Sequence, residues 1–291
     1  MTRGLLILQT GPLTLVQDLG RPGLAALGVG PSGAADRGAF RLGARLLAQH
    51  DSLAALEVTF GGLMVRAQGD LTLALTGAEA PATVDGRAVG HRSPWVLRDG
   101  QSLSIGTPAH GLRTYLSVRG GVDVSPVLGS RATDTLSGIG PPPVREGDLL
   151  PVGPPPLTFP VVDHAPAPRA AAGPVVLRAW AGPRDDWLAD PDALSAATWT
   201  VSSRSDRVGV RLKGPPLERH PGRAGQELLS EGVVRGAIQV PAGGEPVLFL
   251  ADHPVTGGYP VVAVVLSSDV DVAAQAVPGQ SVRIVLAEPK D

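Results

Sequence analysis

Residues 236–260 read GAIQVPAGGEPVLFLADHPVTGGYP, and the rest of the chain is best read outward from them. Ala237–Val240 predicts a strand, Pro241–Glu245 a Gly-rich turn, and Pro246–Ala251 a second, apolar strand. That second strand stops abruptly at Asp252 and His253, and a turn over Pro254–Tyr259 follows. A buried strand that delivers Asp252, His253, Thr256, Gly257, Gly258 and Tyr259 at its end is one way to build a site. The strand fixes position, and the two glycines let backbone N–H groups approach a ligand closely. A hairpin turn with a polar cap fits the same residues, so the remainder of the sequence has to decide.

The strand pattern repeats along the chain. Apolar stretches at Leu5–Gln9, Leu13–Gln17, Ala55–Phe60, Leu63–Arg66, Leu71–Thr76, Pro94–Leu97, Ser102–Ile105 and Arg113–Val118 are separated by Gly, Pro and Asp. Their spacing is that of an all-β barrel or sandwich. Asp85–Gly86, between Val84 and Arg87, is the signal of a type I′ hairpin. One segment breaks the pattern: Gly33–Gln49 carries Phe40, Leu42, Leu46 and Leu47 at helical spacing, with Arg37, Arg41 and Arg45 opposite. It predicts one long helix, with Ser32 as N-cap and Asp36 in the first turn.

From Pro151 to Pro174 the chain turns Pro- and Ala-rich, as a stiff surface connector does. Strands resume at Val175–Ala181, Trp199–Ser203, Val208–Leu212, Ala237–Val240, Val247–Ala251, Val261–Leu266 and Val282–Leu286. Asp190–Pro191 opens a short helix over Asp192–Ala197. The expected organisation is therefore mainly β, with one domain over residues 1–150, a linker over 151–174 and a second domain over 175–291.

Composition narrows the function. The 38 glycines and 29 prolines show no period and fall between apolar runs, which excludes collagen-like and disordered chains. With Lys213 and Lys290 the only lysines, any anion contact falls to Arg. A formal net charge of −2, with no basic run interleaved with aromatics, speaks against nucleic-acid binding. The absence of Cys excludes disulfides and thiolate chemistry and fits a cytoplasmic protein, and the N-terminal apolar run is too short for a membrane span. No metal site is expected, because the six histidines lack ligand spacing. There is no GxxxxGK[ST] phosphate loop and no GxSxG elbow. Met1 and Met64 are followed by Thr2 and Val65 and not by Lys, so no biotin is attached to this chain.

Polar clusters sit where strands should end. Gln17, Asp18 and Arg21 form a loop that either presents polar groups to a substrate or closes on itself as an Asx turn with Asp18 paired to Arg21. Ser205, Asp206, Arg207 and Arg211 form an anion site or a surface ion-pair network. If Arg207 and Arg211 lie in one strand, both point to one face. Ser230 and Glu231 lead into the opening stretch, with Glu231 either a solvated turn residue or a candidate acid or base. Gly129–Asp134 adds one more Arg–Asp loop.

Taken in order, TLVQDLGRPG (14–23), GVGPSGAADRGAFRLGARLL (28–47), ALEVTFGG (55–62), YLSVRGGVDVSPVLGSRATD (115–134), VSSRSDRVGVRLKGP (201–215), LLSEGVVRGAIQVPAGGEPVLFLADHPVTGGYP (228–260) and AQAVPGQSVRI (274–284) resemble the allophanate hydrolase subunit 2 family. That family includes the C subunit of the bacterial 5-oxoprolinase complex and part of the carboxyltransferase domain of urea amidolyase. The resemblance implies two cyclophilin-like β-barrel domains with a few helices. It implies a B subunit partner of the allophanate hydrolase subunit 1 family and a further A subunit. It also implies an ATP-dependent opening of 5-oxoproline to L-glutamate, with ATP used by the complex.

Two alternatives stay open: a carboxyltransferase component of a biotin-dependent urea carboxylase-type system, and a non-enzymatic regulatory partner of the B subunit homologue. The family's motif positions fall on Gln17, Asp18, Arg21, Ser32, Gly33, Asp36, Ser205, Asp206, Arg207, Arg211, Ser230, Glu231, Gln239, Asp252, Thr256, Gly257, Gly258 and Tyr259. For lactam opening, Asp252, Glu231 and His253 are the expected proton-transfer groups. Arg207, Arg211 and the Gly257–Gly258 backbone are the expected oxyanion donors. The chain departs from the family at His253-Pro254-Val255, where relatives often carry Arg-Gln-Thr.

Overall fold

The structure is a computed structural model, and it describes residues 3–166 and 172–287. The chain divides into two compact units. Unit 1 comprises residues 1–21, 32–134 and 138–170; unit 2 comprises 22–31, 135–137 and 171–291.

Unit 1 contains β1 (Gly4–Thr10), β2 (Leu13–Gln17), α1 (Arg37–Leu46), β3 (Ala55–Thr59), β4 (Leu63–Gln68), β5 (Leu71–Gly77), β6 (Ala82–Val84), β7 (Arg87–Ala88), β8 (Pro94–Leu97), β9 (Ser102–Ile105), β10 (Arg113–Val118) and β11 (Leu149–Pro151). These strands form a six-stranded sheet, β11-β1-β4-β9-β6-β7, and a five-stranded sheet, β2-β3-β10-β5-β8. One apolar core lies between them, drawing Ile7, Val65 and Leu103 from the first sheet and Val58, Leu73 and Leu116 from the second. Strand alternation explains this directly: in β4, Leu63, Val65 and Ala67 are buried while Arg66 is exposed. The Asp85–Gly86 turn has φ of 46° and 81°, as a type I′ hairpin between β6 and β7 requires.

Helix α1 is shorter than its apolar pattern, and Asp36 caps it in place of Ser32. The Asp36 carboxylate accepts from the Ala39 N–H at 2.8 Å. Ser32 is held instead in a left-handed conformation, φ 50°, with its hydroxyl donating to the Thr133 carbonyl. Of the expected linker, residues 151–166 run along unit 1. Arg119 donates to the carbonyls of Pro156 (2.8 Å) and Thr158, and Thr158 donates to the Ala48 carbonyl. Residues 167–171 of that stretch lie outside the described residues.

Unit 2 contains β12 (Val175–Ala181), α2 (Ala193–Ala196), β13 (Thr198–Val201), β14 (Gly209–Lys213), β15 (Glu231–Gly232), β16 (Ala237–Gln239), β17 (Val247–Phe249), β18 (Thr256–Gly257), β19 (Val261–Val265), α3 (Ser267–Ala273) and β20 (Ser281–Leu286). Seven strands close a barrel in the order β12-β19-β16-β17-β14-β13-β20, sealed by the parallel pairing of β12 with β20. The opening stretch behaves as its pattern predicts, since β16 and β17 pair antiparallel across the Gly-rich turn. Helix α3 is not apparent in the sequence, where Val270 and Val272 alternate with Asp269 and Asp271 as in a strand. Its burial runs instead at helical spacing through Asp269, Val270 and Ala273. Helix α2 begins one residue later than expected, because the Asp190 side chain accepts from the Asp192 N–H in a turn before it.

Two of these joints can be tested by their effect on stability. Gly33 sits at φ +94°, and a Cβ there would lie 2.7 Å from the Gly20 nitrogen and the Leu19 carbonyl carbon. Both are backbone atoms, so Gly33→Ala should destabilise unit 1 by at least about 2 kcal/mol in a denaturant melt. In unit 2, Asp269 of α3 accepts from Arg178 of β12 through Nε (2.9 Å), Nη2 (2.7 Å) and the backbone N–H (2.8 Å). The Arg178 hydrogen bonds pull its carboxyl down to about 2 despite its burial. Folding lowers this pKa, so the contribution is complete above about pH 4 and is lost as pH falls through 2. Asp269→Asn should remove about 1–2 kcal/mol at pH 7 and should flatten the acid limb of the stability curve.

Candidate functional site

Each unit builds a polar cluster at the ends of its strands. In unit 1 three segments meet: the 17–21 loop after β2, the 32–36 segment before α1, and residues 130–134. The Thr133 N–H donates to the Val16 carbonyl at 3.0 Å, which splices the third segment onto the first. The Thr133 carbonyl then accepts from Gln17 Nε2 (2.8 Å) and Ser32 Oγ (3.2 Å), and the neighbouring Ala132 carbonyl accepts from Arg21 Nη2. Asp18 Oδ1 accepts from the Gly20 N–H at 2.7 Å and from Ser130 Oγ at 2.6 Å, while Oδ2 accepts from the Arg131 N–H at 2.6 Å. Asp18 thus closes the loop, partly as an Asx turn, and Arg21 is not its partner.

Beneath this cluster lies a fully buried network that the sequence reading missed. Glu57 Oε2 accepts from the Ala35 N–H (3.0 Å) and the Tyr115 hydroxyl (2.7 Å), and that hydroxyl accepts from the Asp36 N–H (2.8 Å). Arg113 stands 3.5 Å from Glu57 Oε1. Burial first, and the Glu57 charge second, push the Tyr115 hydroxyl well above the usual phenol range, so it stays a donor. A Glu inside the otherwise apolar strand ALEVT was the available signal.

In unit 2, Asp252 and His253 are buried at the end of β17. Arg207 meets Asp252 side-on, Nε to Oδ2 at 2.9 Å and Nη2 to Oδ1 at 3.2 Å. Thr135 adds its N–H (2.9 Å) and hydroxyl (2.7 Å) to the same Oδ2. Both carboxylate oxygens are therefore engaged, and Asp252 is placed to hold the barrel end together. His253 stacks on Phe249 and turns Nδ1 to the Pro254 carbonyl at 2.7 Å.

Glu231 is bound by Arg184, with Nε at 3.1 Å from Oε2 and Nη2 on Oε1. The Arg184 hydrogen bond holds the Glu231 carboxyl below its ordinary range, which leaves it ionised and a poor proton acceptor at neutral pH. Strand β15 pairs with β18 beside it, and a Cβ on Gly257 would fall 2.4 Å from Gln239 Nε2. Gln239 spends that amide on the Tyr259 carbonyl at 3.0 Å.

The remaining expected residues are dispersed. Arg207 and Arg211 do not share a face, because β14 begins only at Gly209 and Arg211 points to solvent while Arg207 is buried. Ser205 and Asp206 build the turn before β14: Ser205 Oγ accepts from the Arg211 N–H at 3.0 Å, and Asp206 from the Val208 and Gly209 N–H groups. Ser230, Thr256, Gly258 and Tyr259 are exposed. Among the described residues no three His, Asp or Glu side chains gather as a metal site, and no helix is long and apolar enough to cross a membrane.

Known proteins share this architecture. Residues 27–286 match the family described as carboxyltransferase domain, subdomain A and B. The chain belongs to this family. It is 38% identical over 286 residues to the C subunit of 5-oxoprolinase from Escherichia coli K12, covering 96% of this chain and 90% of that one. It is 33% identical over 284 residues to the protein of the same name in Haemophilus influenzae, covering 95% and 89%. Among solved structures, the Kluyveromyces lactis urea amidolyase contains the same fold at a TM-score of 0.92 and 28% identity. That match covers 98% of this chain but only 19% of the larger protein. Two mainly-β units, the second a closed barrel, are thus the form that this family takes here.

The Arg207–Asp252 pair yields a test of its role. Arg207→Met alone leaves a buried carboxylate without its cation and should cost about 3–5 kcal/mol. Arg207→Met combined with Asp252→Leu should recover most of that loss. Urea melts of the single and double variants measure both values, and equal destabilisation by the two would show the pair contributes through something other than charge compensation.

Proposed function

We propose that this chain is the C-type subunit of an ATP-dependent 5-oxoprolinase, an assembly that opens 5-oxo-L-proline to L-glutamate. The observation that carries the reading is the reciprocal match to subunits of that name, nearly end to end in both partners. A relative named as a lettered subunit implies further subunits, and a B subunit homologue together with an A subunit is the expected set. The likeness to urea amidolyase supports the shared fold and keeps biotin-dependent carboxyl transfer as the second reading.

Opening a lactam adds water across a resonance-stabilised C–N bond: the carbonyl carbon gains oxygen and the ring nitrogen gains a proton. ATP supplies the activation when bound to the complex. This sequence has no phosphate loop of the P-loop type. The part left to this chain is to bind and orient a small polar substrate in a water-poor setting, and unit 1 is built for that. Its cluster is buried, and its backbone is fixed by Glu57 and Tyr115. Unit 2, with Asp252 and Glu231 both committed to Arg partners, offers less for proton transfer.

The test is a coupled assay of ATP hydrolysis and glutamate release from 5-oxoproline, using this chain co-purified with its neighbouring A and B subunits. Turnover that vanishes when this chain is omitted is the expected result. An intact three-subunit complex that leaves 5-oxoproline unchanged would reject the reading, and carboxyl transfer from carboxybiotin to urea would then be assayed.

A further inference from the structure

Among the described residues, Arg21 leaves more of its guanidinium unbonded than the other buried arginines do. Arg207 faces Asp252, Arg113 faces Glu57, and Arg119 gives its donors to the carbonyls of Leu47, Pro156 and Thr158. Arg21 is as buried as Arg207, at 2% exposure, yet only its Nη2 is bonded, to the Ala132 carbonyl. Its Nε and Nη1 have no hydrogen-bond partner among the described residues. No carboxylate stands within ion-pairing distance of it among those residues. An uncompensated buried cation is costly, and a fold keeps one where an anion completes it.

Two more orphaned atoms lie in the same cluster. Gln17, fully buried, donates Nε2 to the Thr133 carbonyl and leaves Oε1 without a partner. Its orientation is settled by that bond, since the flipped amide would set two acceptor oxygens against each other. Thr133 Oγ1 is also unpartnered. The carbonyls of Ala132 and Thr133 are adjacent in the chain and bind Arg21 and Gln17 respectively, which sets both side chains against the same short segment.

We propose that Arg21, Gln17 and Thr133 form a substrate subsite for a compact molecule that carries a carboxylate beside an amide N–H. The carboxylate pairs with Arg21, and the N–H donates to Gln17 Oε1. An inorganic anion would satisfy only the first demand. In 5-oxoproline the carboxylate and the ring nitrogen are joined to one carbon, so it meets both; naming it rests on the function proposed above. Arg21, Gln17 and Thr133 are buried in this structure, so binding requires the cluster to open.

The experiment combines stability and selectivity. If Arg21 waits for a ligand, Arg21→Met removes an uncompensated charge along with its single bond to the Ala132 carbonyl, and the unliganded full chain should melt close to the wild-type temperature. A purely structural role predicts a marked fall. In the assembled complex, Arg21→Met should raise KM for 5-oxoproline on the order of 100-fold. It should also abolish the preference for 5-oxoproline over its uncharged carboxamide, and Arg21→Lys should restore part of that preference. Gln17→Met should erase discrimination against N-methylated 5-oxoproline, which lacks the N–H.

A marked fall in melting temperature or loss of folding in Arg21→Met, or a carboxylate preference that survives it, overturns the subsite while leaving the 5-oxoprolinase reading in place. A complex without turnover whose C-type chain is still stabilised by 5-oxoproline, but not by the carboxamide, keeps the subsite and rejects that reading. Neither turnover nor stabilisation rejects both.

Discussion

Two consecutive carbonyl groups, those of Ala132 and Thr133, are the points from which the polar end of unit 1 is hung. They accept from Arg21, Gln17 and Ser32, three side chains drawn from two other segments. The Thr133 N–H returns a bond to Val16, so the third segment is tied to β2 as though it were a further strand. Everything polar that surrounds this point takes its position from it. Asp18 fastens the loop to Ser130 and Arg131, and Glu57 with Tyr115 fixes the next segment to the five-stranded sheet from below. Buried polar atoms impose such order because each must find a partner or cost the fold its desolvation energy.

The two units use buried charge differently. In unit 2 the Arg207 fork, the Thr135 N–H and the Thr135 hydroxyl fill both oxygens of the buried Asp252, and Arg184 fills both oxygens of the half-exposed Glu231. A carboxylate in that state stabilises its surroundings and resists protonation. In unit 1 the pairing is left incomplete at Arg21 and Gln17, and incompleteness is what a ligand can use. Proteins accept such local cost at sites that act, and the rigid sheet beneath supplies the stability to carry it.

Much of the fold was readable because strand periodicity is a local signal. β16 and β17, the type I′ turn at Asp85–Gly86 and the apolar face of α1 all follow from residue order at a spacing of two or of about four. Sequence and structure part where a local pattern allows two answers. Ser32 and Asp36 are both good caps, and burial of Ser32 against Thr133 decided for Asp36. The Asp-Val alternation of residues 269–272 suits a strand, but packing of α3 on β12 through Asp269 and Arg178 made it a helix.

By itself, the sequence determined the mainly-β class, the family, and the loops that carry polar residues, because composition, spacing and ordered motifs are properties of the chain alone. Tertiary structure decided which of those residues meet. Thr133 reaches Gln17 across a sequence separation of 116 residues and Thr135 reaches Asp252 across 117. Glu57 gains its meaning only when Ala35 and Tyr115 close on it. The physical reason is that the partners of a buried polar atom are set by how distant segments pack. Whether Arg207 finds an anion and Arg21 does not is therefore written in the packing and in no local run of residues.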